Sequence, residues 1–284
     1  HNSKLHQIAG NVEKKIISRL EKMQKDEPEK YLSFFQNFGV HIKFGIYDQF
    51  GVKKDLLKNL LMYQTTNKEE MTSLKQYVEN MQEKQEYIYY ASGKSKQHVL
   101  SMPQMDALKS LGYDVLVLTE EVDEFAISIL EEFDGKKFQS INQGELDVLD
   151  QEESKEVEEL TKSKTDFLDK AQEILQGKVD KVVFSKRLRD SAVCLVSGEG
   201  VSFEMEKVIQ QTSGEKNVKA EKILEINAKH DIFAVLEKLY LNDDPLFATY
   251  LDVLYNQGLL MEGFPLANPT DFAKKINDLM KKSV

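Results

Sequence analysis

The sequence predicts a mixed fold, with a small three-layer α/β unit preceded by helices and then an α+β domain that ends in a helical bundle. Its 284 residues, 41% of them hydrophobic, suit two domains that each bury a core. Strand-like runs alternate with helical periodicity between residues 87 and 141, which indicates a partly parallel sheet. The last two predicted helices open at Asp244-Pro245 and Asn268-Pro269, where a capping side chain precedes a proline.

The first part of the chain begins with helices. Apolar residues between Leu5 and Leu20 recur at three- and four-residue steps, which predicts a helix over 2–25. Similar periodicity predicts helices through YLSFFQNFGVHIKFGIYDQ and KKDLLKNLLMYQTT, and a short helix at TSLKQYVENM. Three strands are expected at Tyr87–Tyr90, YDVLVLT and KKFQSI, with helices at MPQMDALKSLG and TEEVDEFAISILEEFDG between them.

A charged stretch separates the two parts. Residues 145–159 hold eight acids against the single Lys155, a composition that predicts a linker or the solvated start of a helix. We therefore expect a first domain at 1–146, an acidic linker at 147–160 and a second domain at 161–284. The second domain is expected to contain a helix at FLDKAQEIL, strands at DKVVFSK and SAVCLVS, an amphipathic helix at SFEMEKVIQQ and the two terminal helices.

The sequence excludes several kinds of chemistry. The net charge of −10 argues against general affinity for nucleic acid or anionic membranes, because the summed field repels phosphate. No apolar run reaches the ~18 residues of a membrane span, so the cytoplasm is the expected compartment. The five histidines do not fall at metal-ligand spacing, and Cys194 lies in an apolar run typical of a buried small hydrophobe. No glycine-rich phosphate loop is present, and no catalytic, cofactor or metal residues are predicted.

Apolar stripes on helices are the remaining candidates. The helix at 202–211 is predicted to be either a core-facing helix or an exposed binding helix, and its stripe consists of Phe203, Met205, Val208 and Ile209. The terminal helices are predicted either to cap their own core or to pair with the same helices of a second subunit. Their apolar residues are Leu246, Phe247, Tyr250, Leu251, Leu254, Tyr255, Phe272, Ile276, Leu279 and Met280. For HIKFGIYDQFGVKK, core packing with snorkelling lysines is a better interpretation than nucleic-acid binding.

Several long phrases resemble the heat shock protein 90 chaperone family in its bacterial form. They span nearly the whole chain in the order of that family, and they are FGIYDQFGVKKDLLKNLLMYQTT, SLKQYVENMQEKQEYIYYASG, LGYDVLVLTEEVDEFAISILEEFDGKKFQS, GKVDKVVFSKRLRDSAVCLV, KILEINAKH and GFPLANPTDFAKKI. The chain resembles only the later part of the family's middle domain and its C-terminal dimerisation domain. The motifs of the ATPase domain, and the middle-domain loop that reaches the γ-phosphate, have no counterpart here, and Arg19 is not assigned that role.

The resemblance implies a fragment of an ATP-dependent homodimeric chaperone. ATP and magnesium would serve the full-length protein, whereas this chain is expected to hold no cofactor and not to act as an enzyme. Implied partners are a second copy, partly folded client proteins and the bacterial seventy-kilodalton heat-shock chaperone. The final residues KKSV differ from the tag that recruits helical-repeat co-chaperones, so such partners are not expected. The alternatives are a purely structural dimeric scaffold without client affinity and an α/β enzyme whose site is not recognised.

The resemblance also points to particular residues. It implies client contact at Glu124 and Phe125. It gives more weight to the interpretation of the helix at 202–211 as an exposed binding helix, and it favours dimerisation over core packing for the terminal helices. Helical periodicity places Phe125 at the margin of the inward face, so we expect its ring to be half exposed. Thr119 is the expected cap of the same helix.

Overall fold

The computed structural model describes residues 2–146, 148–214 and 217–282, apart from the side chain of Asn2. Within it the chain forms two compact units. Unit 1 comprises His1–Val99 and Tyr113–Gln139, and unit 2 comprises Leu100–Gly112 and Ser140–Val284. Helices and strands occur in both, so the predicted mixed fold is confirmed.

Unit 1 combines an N-terminal helical pair with a mixed sheet. Its elements are α1 (Asn2–Asp26), α2 (Pro28–Tyr47), α3 (Lys54–Leu57), β1 (Met62–Thr65), β2 (Thr72–Ser73), α4 (Leu74–Glu79), β3 (Ile88–Ser92), α5 (Lys96–Ser101), β4 (Leu116–Leu118), α7 (Asp123–Leu130), β5 (Glu132–Phe133) and β6 (Lys136–Ser140). Of these, α5 and β6 end within unit 2. Short 3-10 helices follow α2 at Asp48–Gly51 and α3 at Lys58–Leu60. A helix α6 (Asp106–Leu111) belongs to unit 2.

The sheet that contains β1 to β6 has the strand order β2-β1-β4-β3-β6-β5. Strands β3 and β4 are parallel, with Tyr90 opposite Leu116, while β1 runs antiparallel to β4. The parallel pair fits the predicted strand-helix-strand crossover. Side chains of the sheet and of α2 and α7, including Ile46, Ile88 and Leu130, share one buried cluster.

One predicted helix of unit 1 is wrong at its end. The run KKDLLKNLLMYQTT was expected to be helical throughout, but α3 and the following 3-10 turn end at Leu60 and β1 begins at Met62. A short apolar run suits a helix or a buried strand equally, and here pairing of Gln64 with Val117 stabilises the strand.

Unit 2 contains a three-stranded sheet covered by helices. After α6 its elements are α8 (Gln151–Ser163), α9 (Thr165–Ile174), β7 (Lys181–Phe184), β8 (Val193–Ser197), α10 (Phe203–Thr212), β9 (Lys222–Ile226), α11 (Asp231–Leu241), α12 (Leu246–Met261) and α13 (Pro269–Lys282). The strand order is β7-β9-β8, with β9 parallel to β7 and antiparallel to β8. The sequence did not predict β9 or α11.

The core of unit 2 is rich in aromatic rings. The Phe233 ring meets those of Phe167 and Phe184 edge to face, with centroids 5.6 and 5.1 Å apart. Helix α12 lies close to β8 at Gly258, where an added Cβ would stand 3.0 Å from Leu195 Cγ. This close approach buries the inner side of α12 in the core.

The acidic stretch includes the start of a helix. Asp150 Oδ1 accepts hydrogen bonds from the N–H groups of Glu152 and Glu153 and so caps α8, none of whose residues is buried. The second compact unit resumes at Ser140, and it also includes Leu100–Gly112. The domain limits at 146 and 160 stay predictions, and Asp147 lies outside the described residues.

Candidate functional site

Helix α7 is fixed to α2 by a buried ion pair. Lys43 Nζ on α2 lies 2.7 Å from Asp123 Oδ1 and 2.6 Å from Glu120 Oε2. The same ammonium group lies 4.9 Å from the centroid of the Tyr63 ring, within the range of a cation–π contact. Lys43 and Asp123 are both buried, so their contact holds the first turn of α7 in place.

The predicted cap of α7 is wrong. The helix begins at Asp123, and Asp123 Oδ2 accepts hydrogen bonds from the backbone N–H groups of Thr119 and Glu120. Thr119 therefore receives support from the acid four residues later and does not cap the helix. The sequence pattern offered both a threonine and a cluster of acids, and the buried Lys43 stabilises the arrangement that uses Asp123.

The two residues assigned to client contact in α7 differ in exposure. Glu124 is only 4% exposed, and it accepts a hydrogen bond from the Ser92 hydroxyl at the end of β3. The Glu124 carboxylate is therefore used inside unit 1, and client contact at Glu124 stays a prediction. Phe125 is partly exposed, as the periodicity predicted. Its ring lies 5.4 Å from that of Tyr47 at 66°.

Helix α10 presents a narrower apolar surface than predicted. Ser202 Oγ accepts a hydrogen bond from the Met205 N–H and caps the helix. Phe203 is buried and meets Phe264 edge to face at 5.2 Å, so its ring packs in the core of unit 2, and its assignment to client contact stays a prediction. The three other predicted residues, Met205, Val208 and Ile209, remain partly exposed. The core-facing interpretation therefore applies to Phe203, and the binding interpretation of the other three side chains stays a prediction.

The terminal helices divide in a similar way. Four residues of α12 belong to the core of unit 2, and they are Phe247, Leu251, Leu254 and Tyr255. These four side chains are covered by their own unit, and their assignment to a dimer interface stays a prediction. Leu246 and Tyr250 are only partly buried.

Helix α13 keeps an open apolar stripe. None of its described residues is buried; Phe272, Ile276 and Leu279 are partly exposed and Met280 is 63% exposed. Lys275 Nζ joins α13 to α12 through Asp252 Oδ2 at 2.7 Å. Within the described residues, the stripe on α13 is thus accessible, as are Leu246 and Tyr250 in part.

Cys194 is buried, as predicted from its apolar run. Burial, together with the neighbouring Glu225 carboxylate, raises the pKa of its thiol, so the thiolate form that a nucleophile needs is disfavoured. In residues 2–146, 148–214 and 217–282, no group of three or more His, Cys, Asp or Glu side chains could hold a metal ion.

Two features of the site were not predicted from the sequence. Lys43 was expected to snorkel to the surface but is buried between acids, and the partners at Glu120 and Asp123 lie 77 and 80 residues further along the chain. The 3-10 turn after α2 exposes the ring of Phe50. Core packing was predicted for the stretch HIKFGIYDQFGVKK, and the exposure of Phe50 corrects that interpretation for this ring.

Adjoining apolar side chains that are at least partly exposed, such as those of Tyr47 and Phe125, mark a candidate surface for contact with other polypeptides. The sequence profile described as Hsp90 protein matches residues 1–284, so the chain belongs to the Hsp90 family. No helix in the described part of the chain is long and apolar enough to cross a membrane.

The chain is similar to several curated bacterial relatives. It is 43% identical over 281 residues to chaperone protein HtpG of Clostridium botulinum (strain Hall) and 42% identical over 281 residues to that of Clostridium perfringens. It is 39% identical over 280 residues to chaperone protein HtpG of Bacillus subtilis. Each match covers 99% of this chain but 45% of the relative, so the chain spans less than half the length of these proteins.

Proposed function

We propose that the chain is the client-binding and dimerising part of a bacterial Hsp90 chaperone. Its membership of the family over its whole length carries this proposal. Phe125 on α7 and the Met205, Val208 and Ile209 side chains on α10 would give partly folded clients small apolar contacts. Modest patches suit a protein with many partners, because each contact can be weak and still add to the others.

The second copy of the chain would dock through α13. Its open stripe contains Leu279 and Met280, and the adjoining α12 side chains Leu246 and Tyr250 would extend it. The proposed compartment is the cytoplasm, and the bacterial seventy-kilodalton heat-shock chaperone is a proposed further partner. The chain by itself would bind no ATP and hydrolyse none.

Aggregation of a denatured reporter tests client binding. Malate dehydrogenase diluted from denaturant should aggregate at least threefold more slowly in the presence of the chain. The Phe125→Ser and Met205→Ser variants should each lose part of this effect, while Leu241→Ser, which removes an exposed apolar side chain elsewhere, should retain it. A chain that dimerises but never slows aggregation would instead support the structural scaffold.

Phosphate release tests the absence of ATPase activity. The purified chain with ATP and magnesium should release phosphate at the rate of the buffer alone. Turnover that exceeds this background, and that survives purification to constant specific activity, would support an unrecognised enzyme.

A further inference from the structure

The end of α2 and the turn after it expose a group of large apolar side chains in unit 1. Phe44, Tyr47, Phe50 and Val52 are 55%, 43%, 96% and 76% exposed. Among the described large hydrophobic residues, none is more exposed than Phe50. We call these four side chains the α2 aromatic patch. An isolated exposed ring needs no explanation, but four such neighbours along the chain are a candidate contact surface.

The backbone holds Phe50 outward by an unusual conformation. Gln49 and Phe50 have φ values of 50° and 56°, which L residues seldom adopt, and Gly51 follows at 81°. A Cβ added to Gly51 would stand 2.4 Å from Ile129 Cγ2 on α7, so the turn presses directly against that helix. Lys54 Nζ also donates a hydrogen bond to the Ile129 carbonyl at 3.0 Å. These contacts hold the turn in a fixed position beside α7. Strained backbone conformations of this kind are concentrated at functional sites.

Two rings of the α2 aromatic patch, those of Phe44 and Tyr47, connect with Phe125. The ring centroids of Phe44 and Tyr47 are 6.4 Å apart, and those of Tyr47 and Phe125 are 5.4 Å apart. The 66° angle between the Tyr47 and Phe125 rings is an edge-to-face contact, which restricts the orientation of each ring. Tyr47 thus contacts both Phe125 on α7 and Phe44 of the patch.

The size of the patch suits a weak partner. With 150–250 Å² for a whole aromatic side chain, the four exposed fractions offer roughly 500 Å². A stable interface buries ~800 Å² on each partner, so the patch alone would not hold a second copy or a folded partner permanently. A short apolar segment of an unfolded chain fits this area.

The nearby charges favour basic neighbours in such a segment. Lys53 Nζ pairs with Glu13 Oε1 at 2.5 Å, and Lys54 Nζ lies 4.0 Å from Glu131 Oε2. Asp48, next to Tyr47, and Glu121, four residues before Phe125, are exposed and have no ion-pair partner in the described part of the chain. These two carboxylates would attract lysine or arginine side chains.

We propose that the α2 aromatic patch extends the client-contact surface of Phe125, with Tyr47 as the positioning residue for the Phe125 ring. The segment it takes is a stretch of two or three apolar residues flanked by basic ones. This inference rests on the proposed client binding and names the class of client segment that this surface selects.

Binding of fluorescein-labelled peptides, followed by anisotropy, tests the inference. The probe contains Lys-Leu-Phe-Leu-Lys between glycine-serine arms. One control peptide replaces the apolar residues with serine, and the other replaces both lysines with glutamate. The unmodified chain should bind the probe at least threefold more tightly than either control peptide. Equal binding of the glutamate peptide would overturn the charge preference.

Variants separate the patch from Phe125. Phe50→Ser and Tyr47→Ser should each weaken probe binding about threefold to tenfold. Tyr47→Phe should retain binding, because its ring still meets Phe125 edge to face. Leu241→Ser serves as the matched control, since it also removes an exposed apolar side chain. A fluorinated phenylalanine at position 125 should give a shifted and sharper ¹⁹F resonance in Tyr47→Ser than in Tyr47→Phe, as its ring gains freedom.

The results distinguish this inference from the proposed function. If Phe125→Ser weakens binding while Phe50→Ser and Tyr47→Ser do not, the patch is refuted and client binding at Phe125 stands. If Phe50→Ser weakens binding and Phe125→Ser does not, the continuity of the two surfaces is refuted. If none of the three variants, nor Met205→Ser, has an effect, the proposed client surfaces fail together.

Discussion

Gln104 donates a hydrogen bond from Nε2 to Glu262 Oε1 over 2.5 Å, and both side chains are buried in unit 2. The same Gln104 nitrogen donates to the Leu195 carbonyl on β8 at 2.7 Å. Burial raises the pKa of Glu262 to about 7, although hydrogen bonds from Gln104 and Asn142 and the charges of Lys207 and Arg187 oppose the shift. The contact therefore joins α12 to Leu100–Gly112 through a carboxyl group that titrates near neutrality.

The raised pKa of Glu262 predicts a loss of stability as pH rises. Folding favours the protonated carboxyl, so its contribution is full below the unfolded value of 4.5 and is lost as pH passes through about 7. Glu262→Gln should imitate the protonated form. Its free energy of unfolding relative to the unmodified chain should increase by about 2.5 kcal/mol between pH 5 and pH 8.

Urea titrations of both proteins at several pH values would measure this difference. Glu199→Gln, which changes an exposed carboxyl, should show no such trend. A constant difference between Glu262→Gln and the unmodified chain across this range would mean that Glu262 titrates at its ordinary pKa.

The buried ion pair of Arg187 and Glu225 predicts that removing one partner alone lowers the stability of the fold more than removing both. Arg187 Nε donates to Glu225 Oε2 at 3.0 Å, and Arg187 Nη1 donates to the Ile141 carbonyl at 2.6 Å. Arg187→Met should lower the free energy of unfolding by about 3–5 kcal/mol, because it leaves the Glu225 charge buried without its cation. Adding Glu225→Gln should restore part of that loss while keeping an oxygen for the Ser185 hydroxyl, which donates to Glu225 at 2.6 Å.

Urea unfolding of the single and double variants completes this double-mutant cycle. Strictly additive losses would show that the two side chains do not stabilise each other.

If the open apolar stripe of α13 forms the dimer interface, a charged side chain placed in it should weaken dimer formation. Leu279→Asp and Met280→Asp should each raise the dimer dissociation constant ~30-fold or more, since a buried unpaired charge costs about 2 kcal/mol or more. The monomer should remain folded, because neither side chain is buried within its own unit. Asn277→Asp adds the same charge at an exposed polar position and should leave the dimer intact.

Sedimentation equilibrium across micromolar concentrations measures these constants, with circular dichroism as the check on folding. An unmodified chain that sediments as a monomer throughout this range would refute dimerisation through α13.

The sequence predicted elements that follow from local periodicity and missed those that depend on distant partners. The strands at DKVVFSK and SAVCLVS were found, but the strand between them in space, β9, was not. The run KILEI contains a lysine and a glutamate, and Glu225 is acceptable inside a strand only because Arg187 reaches it from 38 residues away.

The burial of polar side chains in the candidate site could likewise not be predicted from the local sequence pattern. Glu124 looks like a surface acid until β3 places the Ser92 hydroxyl against it. The partial exposure of Phe125 was predictable, because the margin of a helical face follows from spacing alone. Its neighbour Tyr47 could not be inferred, since the contact joins helices that are far apart in the sequence.

Substitution of Gly51 tests how closely the turn after α2 packs against α7. Gly51→Ala should lower the free energy of unfolding by about 2–4 kcal/mol, because a Cβ both strains the backbone at φ 81° and meets Ile129 Cγ2 at 2.4 Å. Gly112→Ala is the matched control. Gly112 has φ 70° but no atom within 4 Å of an added Cβ, so its loss of about 1 kcal/mol measures backbone strain alone. Combining Gly51→Ala with Ile129→Ala should cost less than the sum of the two single losses, because the clash is then removed. Losses that add in urea titrations would show that the turn does not press against α7.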